Sequence, residues 1–333
     1  MGHRATVFGV LAGLAVVLGL GAGAPAAERV RLQLKWVHQA QFAGYYAAQA
    51  RGLYAAEGLE VALVPGGPDR APEEAVASGA ADIGVTWLSS LLVARERGLP
   101  LVNIAQVFAH SGLRELAFRD SGIRGVPDLR GRKVAIWDGH ESPLLAALEK
   151  HRLDPRRDLT IVSQSLGMQL LLERKVDAAA AMTYNEYRQV LDAGVKPEDL
   201  VVLDFNAEGT AMLEDGLFAR ADWLAEPVHQ GLAARFLRAS LQGWRVCRDQ
   251  PADCLDLVLA QRPDLGRDHQ GWMLREVNKL IWGPPAPPGP LGRMDPAAFH
   301  RTAAIAVKFG VIKRPADRRA YTDRIWELAP TKP

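Results

Sequence analysis

The sequence predicts an α/β protein built as two similar halves. Short apolar strands alternate with helices of about ten residues over 30–108, and the same alternation restarts over 133–204. A helical stretch follows from about residue 210. Strands separated by helices of that length form βαβ units with parallel pairing. Two such halves joined by extended connections describe a hinged, two-lobed molecule, and 333 residues suffice for two domains.

In the first half, Val30, Leu32 and Leu34 alternate with Arg31, Gln33 and Lys35, the period of a strand over 30–35. A helix over 42–51 is closed by Gly52, a strand over 59–64 by Gly66-Gly67-Pro68, and a helix over 71–78 by Gly79. A strand over 81–85, a helix over 88–97 ending at Gly98 and a strand over 101–108 complete it. The second half places strands at 133–137, 159–163, 178–182 and 200–204, with helices over 143–150, 168–174 and 185–192 between them. Helices then follow over 228–248, 252–261, 269–280 and 296–309, with the proline-rich stretch 283–290 before the last. Such a tail packs on one lobe rather than forming a third unit.

Residues 1–26 carry the marks of a cleaved export signal: Arg4, an apolar run over 7–20 broken only by glycines, and Ala24-Pro25-Ala26 ahead of a cut before Ala27. The run is shorter than the roughly 20 residues a membrane span needs. No cysteine follows it, which excludes lipid anchoring at an N-terminal cysteine. An exported chain exposes Cys247 and Cys254 to an oxidising compartment, where they form a small disulfide clip across the turn at Gln250-Pro251 or stay as two buried thiols.

Forty Lys and Arg against 38 Asp and Glu, with no long run of either sign, argue against a protein held to nucleic acid or to a membrane surface by charge. Two cysteines exclude a cysteine-rich zinc module, and the eight histidines show neither H-x-x-x-H nor H-x-E spacing. There is no G-x-S-x-G elbow. Gly66-Gly67-Pro68-Asp69 lacks the spacing of a phosphate or dinucleotide loop and reads as a turn near a ligand. His38 follows the first strand, facing either a ligand crevice or solvent.

What recurs is an aromatic residue just past a strand: Trp36, Trp87, Trp137 and Tyr184. Open α/β sheets bind ligands at the carboxyl ends of their strands. Four aromatic side chains converging there would sandwich a planar heterocycle, each stacked pair contributing about 0.5–1.5 kcal/mol beyond burial. Glu186 is placed to accept a hydrogen bond from an amino group on such a ring. Trp137 also fits a position in the second lobe's core, where it would contribute stability rather than binding.

Leu32 to Val61, L-Q-L-K-W-V-H-Q-A-Q-F-A-G-Y-Y-A-A-Q-A-R-G-L-Y-A-A-E-G-L-E-V, resembles the opening of the thiamine-pyrimidine binding proteins, a group of type II periplasmic solute-binding proteins. Ala77 to Val85, Asp128 to Trp137, Val176 to Tyr187 and Gly209 to Phe218 extend the likeness, which covers 30–244. The resemblance implies a two-lobed type II periplasmic binding protein fold, with central mixed sheets and a ligand cleft between the lobes. Crossovers are expected near 118–122 and 206–210. Lobe one would then take 27–119 and 209–333, and lobe two 120–208. Carried over by position, Trp36, Trp87, Tyr184 and Glu186 are ligand contacts, joined by Tyr45, Thr86, Trp137 and Asn185. The implied partners are a small heterocyclic solute, a thiamine-type pyrimidine first and riboflavin or another aromatic vitamin second, and an ABC permease at the inner membrane. The implied state is a periplasmic monomer that uses no cofactor and no metal.

An enzymatic branch of the same family makes the thiamine pyrimidine from pyridoxal phosphate and a histidine, with iron. Its cofactor-holding lysine falls on Thr86, its consumed histidine on Ser90 and its cysteine-rich motif on 209–213, which has no cysteine. A threonine cannot form a Schiff base, so the resemblance implies binding rather than catalysis.

Overall fold

The computed structural model describes residues 1–2 and 26–330, except 285, 286 and 288. The expected export signal therefore lies almost wholly outside the described residues. Ten strands form two five-stranded mixed sheets of the same design.

The first sheet contains β1 (Glu28–Gln33), β2 (Leu59–Val64), β3 (Ile83–Thr86) and β4 (Leu101–Gln106), while β5 (Leu113–Phe118) leaves it for the second. The second sheet adds β6 (Lys133–Ile136), β7 (Thr160–Ser163), β8 (Ala178–Met182) and β9 (Leu200–Asp204), and β10 (Gly216–Arg220) returns to the first. The spatial orders are β2-β1-β3-β10-β4 and β7-β6-β8-β5-β9. In each sheet the central pairs with helical crossovers are parallel, β1 with β2 and β3, β6 with β7 and β8. The strand exchanged between halves is antiparallel to both its neighbours.

This exchange corrects two expectations. The first crossover is not at 118–122: β5 pairs with β8 and β9, so the chain passes between sheets at 107–112. The region after 210 is not helical at once, because β10 first completes the first sheet between β3 and β4. The second passage runs through 205–215, between β9 and β10.

The helical tail packs where its sequence allows close approach. A Cβ on Gly243 would lie 2.0 Å from the Gly44 carbonyl oxygen, and one on Gly44 would lie 2.2 Å from the Trp244 indole. Two glycines thus let helix Pro227–Asp249 lie against helix Ala43–Ala50 with their backbones in contact. Helices Pro251–Gln261 and Arg267–Trp282 continue this layer, and Cys247 is joined to Cys254 by a disulfide at the junction of the first two, Cα–Cα 4.9 Å. No helix among the described residues is long and apolar enough to cross a membrane.

Candidate functional site

The carboxyl ends of β1, β3, β6 and β8 meet in one cavity between the sheets. Lys35 and Trp36 follow β1, Trp87 follows β3 as the residue before helix Leu88–Glu96, Trp137 follows β6, and Tyr184, Asn185 and Glu186 follow β8. Each sits where its strand runs out of ladder partners, which turns its side chain into the space between lobes. Gln39, Gln41, His140 and Met182 complete the lining.

The three tryptophans do not stack. Trp36 and Trp137 meet at 6.1 Å and 69°, and the His140 ring stands edge-on to all three, at 6.1 Å from Trp36, 4.8 Å from Trp87 and 6.3 Å from Trp137. The rings form an edge-to-face cage rather than parallel walls, a geometry that aromatic quadrupoles favour. Trp137 Nε1 donates to the Ser165 carbonyl at 3.3 Å. Tyr184 is buried against the edge of Phe108 at 6.4 Å.

Charge in the cage is arranged in depth. Lys35, only 6% exposed, holds its ammonium 4.4 Å over the Trp87 ring and hydrogen-bonds His140 Nε2. Burial lowers the Lys35 pKa, and the charges of Glu73, Asp215 and Glu214 work against that fall. Asp215 accepts from Trp87 Nε1 at 3.1 Å and from Gln41 Nε2 at 2.8 Å, and Gln39 in turn donates to Gln41. One carboxylate from the second interlobe passage therefore orients a cage wall and compensates the buried ammonium. On the opposite side, Glu186 accepts from Met182 N at 3.0 Å and from Asn185 Nδ2 at 2.6 Å. Its burial raises its pKa to about 7, so near neutral pH it passes between acceptor and donor.

Six of the eight expected contacts line the cavity: Trp36, Trp87, Trp137, Tyr184, Asn185 and Glu186. Two do not. Tyr45 lies on the face of its helix turned to the tail, edge-on to Trp244 at 5.6 Å, and serves the core. The Thr86 hydroxyl donates to Glu73, away from the cage. His38 pairs with the Tyr46 hydroxyl and is not part of the lining. Lys35 is the main residue that strand alternation misplaces, because it stands two residues beyond the end of β1, where its ammonium reaches His140 of the other lobe. Sequence reasoning misses His140, because it stands four residues past the end of β6 in the loop rather than just past the strand as the aromatics do.

A second chamber of about 360 Å³ adjoins the cage and shares Lys35 and His140 with it. Gly67 and Pro68, the turn expected near a ligand, line this chamber.

Residues 39–254 match the family model described as NMT1/THI5 like. The chain belongs to the NMT1/THI5-like family. Among relatives in that range of likeness, the riboflavin-binding protein RibY of Chloroflexus aurantiacus is 28% identical over 90% of this chain and 86% of its own. The formylaminopyrimidine-binding protein of Halalkalibacterium halodurans is 25% identical over 83% of each chain. The 4-amino-5-hydroxymethyl-2-methylpyrimidine phosphate synthase of Legionella pneumophila is 23% identical over 72% and 75%. The fold is that of the periplasmic aliphatic sulphonate binding protein SsuA from Escherichia coli, with a TM-score of 0.65 at 20% identity over 88% of this chain and 91% of that one. This NMT1/THI5-like chain therefore has a periplasmic-binding-protein fold, with an aromatic cage at the interlobe face.

Proposed function

We propose that this chain is the solute receptor of an ABC importer, capturing a small planar nitrogen heterocycle between its lobes. The observation that carries the proposal is the convergence of Trp36, Trp87, Trp137 and Tyr184, drawn from both sheets, around Lys35 and Glu186. Aromatic walls bind a flat ring with little regard to its identity, while the two polar groups orient it. Lobe closure then excludes water from the site, and the ligand leaves chemically unchanged.

A thiamine-type aminopyrimidine is the first ligand. Its exocyclic amine matches Glu186, and the likeness to the formylaminopyrimidine-binding protein supports it. A flavin is the second, favoured by the longer likeness to RibY. Synthase chemistry is less well supported, because the buried Thr86 offers no amine where the enzymatic branch needs one. The same proposal takes residues 1–26 as a cleaved leader, the periplasm as the site of action, a monomer as the working state and an inner-membrane permease as the partner. It assigns no cofactor.

Thermal unfolding against a panel of aminopyrimidines, flavins and pyridoxal phosphate tests this, since a ligand of the native state raises the midpoint by mass action. The expected result is a shift with at least one heterocycle that is lost in Trp36→Ala and Glu186→Ala. No shift with any member of the panel would refute it.

A further inference from the structure

The ring at the centre of the aromatic cage belongs to the protein itself. His140 lies in the loop 137–141 between β6 and helix Ser142–Lys150, and its imidazole is edge-on to Trp36, Trp87 and Trp137 together. With that ring in place the cage retains a cavity of only about 30 Å³, the room of about two waters. A pyrimidine or larger ring has no place there beside it.

The hydrogen bonds of His140 settle which nitrogen does what. Nδ1 faces the Asp138 carbonyl at 3.0 Å, and a carbonyl only accepts, so Nδ1 carries the proton. Nε2 is thereby left with its lone pair toward Lys35 Nζ, which donates to it. Burial and the Lys35 charge press the His140 pKa down to about 3, which keeps the imidazole neutral. The cage thus holds an uncharged, planar nitrogen heterocycle by three aromatic edges and one donor to an unprotonated ring nitrogen.

The first lobe holds lightly the loop that delivers His140. Asp138 and Gly139 are exposed, and among the described residues the hydrogen bond from the first lobe to the loop backbone is that of Ser90 Oγ to the Gly139 carbonyl at 3.4 Å. The loop is otherwise turned on itself, by His140 N to the Trp137 carbonyl at 3.1 Å and Gly139 N to Glu141 Oε1 at 3.0 Å. We propose that His140 is a built-in analogue of the solute: the solute is an uncharged nitrogen heteroaromatic that displaces the imidazole, its unprotonated ring nitrogen taking over the hydrogen bond from Lys35. This rests on the receptor proposal and deepens it, by naming the acceptor the ligand must carry and the side chain it must evict. A receptor that must first expel its own ring binds more weakly than the open cage would, by the fraction of time the cage is free.

Imidazole itself is the probe, at pH 8, where it is neutral. The expected result is saturable quenching of tryptophan fluorescence and a raised unfolding midpoint in His140→Ala, with no response in the unaltered protein. The double variant His140→Ala, Lys35→Met loses the response. His140→Gln, which keeps a polar side chain without a ring, gives the same result if the alanine variant does not fold. An equal response in the unaltered protein, or none in either variant, overturns the proposal whatever the solute is. Any heterocycle that shifts the unaltered protein in the panel above should bind His140→Ala about tenfold more tightly, whereas weaker binding would make His140 a ligand contact and overturn the displacement. Failure of the whole panel with imidazole rescue intact would refute the receptor proposal alone.

Discussion

Glu214 fastens the two interlobe passages to each other, and its removal has a calculable cost. Its carboxylate, on the passage 205–215, accepts from Ser111 Oγ at 2.5 Å, Gly112 N at 3.0 Å and Leu113 N at 3.1 Å, all at the end of the passage 107–112 or just beyond it. Its own carbonyl accepts from Gln106 Nε2 at 2.6 Å. Glu214→Ala leaves Ser111 Oγ and Gly112 N without their acceptor, while Leu113 N keeps Ser111 Oγ at 3.2 Å; at about 1.5 kcal/mol for each orphaned donor, the loss is about 3 kcal/mol. For units of lobe size that is a fall in midpoint of about 6–12 °C. The pH dependence supplies a second signature. Burial raises the Glu214 pKa to about 7, above its unfolded value of 4.5, so the folded state keeps its proton over a range where the unfolded state has lost it. The stability Glu214 contributes is therefore complete below about pH 4.5 and declines as pH rises to about 7, by about 3 kcal/mol. Urea denaturation of both proteins at pH 5 and pH 8 should show the alanine variant clearly weaker at pH 5, with the gap closing toward zero at pH 8. A gap under about 1 kcal/mol at pH 5, or one that widens with pH, would refute the reasoning.

Two further outcomes follow from buried carboxyls. With the Glu186 pKa near 7, a ligand amine donating to its ionised form should bind about tenfold more tightly at pH 8 than at pH 6; calorimetry on the unaltered protein and Glu186→Gln checks this, the pH step vanishing in the variant. Glu115 lies in the middle of β5, fully buried, with neither carboxyl oxygen hydrogen-bonded. Its pKa is pushed up by burial alone, so wild-type stability is lost as pH climbs above 4.5. Glu115→Met should therefore raise stability at pH 7 by about 1–3 kcal/mol, with the gain growing as pH rises in denaturant titrations.

Most strands and helices were legible because their burial is local. β2, β8 and β9 fall at the residues their apolar patterns indicate, and the tail helices begin and end within two residues of the expected points. The two exchanged strands were not legible. β10 is five residues opening on Gly216, and nothing nearby marks that it inserts between β3 and β4. In β5 a buried Glu115 stands where alternation calls for an apolar residue, and its partners, β8 and β9, are 60 to 90 residues away. The site shows the same division. The rule that aromatics just past strand ends gather at the cleft found Trp36, Trp87, Trp137 and Tyr184, since strand direction alone places them. It could not find Asp215, which reaches the cage from a passage between sheets, nor tell that Tyr45 faces Trp244.

The distribution of charge bears on how a solute could shift the lobes. A lone buried ammonium is costly, but Lys35 follows β1, Glu73 lies on the helix Pro72–Ala77 between β2 and β3, and Asp215 ends the second passage, so their mutual compensation does not depend on the second lobe. What joins the lobes around the cage is lighter: the Lys35 bond to a neutral His140, the aromatic edges, His269 Nε2 donating to Asn185 Oδ1 at 2.7 Å, and Trp272 Nε1 donating to the Thr183 carbonyl at 3.0 Å. Each such neutral bond contributes about 0.5–1.5 kcal/mol net. Closure is then a balance of a few kcal/mol, within reach of the binding energy of one small ring, because a ligand shifts an equilibrium only by its differential affinity for the two states. Had these compensating charges been divided between the lobes instead, opening would strand buried charges on both sides and a small solute could not move the equilibrium. Compensating the buried ammonium within one lobe leaves only light charged contacts across the cleft, His269 Nδ1 at 3.7 Å from Asp192 and Arg188 at 5.4 Å over the Trp272 ring, and a cage so built would respond to the solute proposed above.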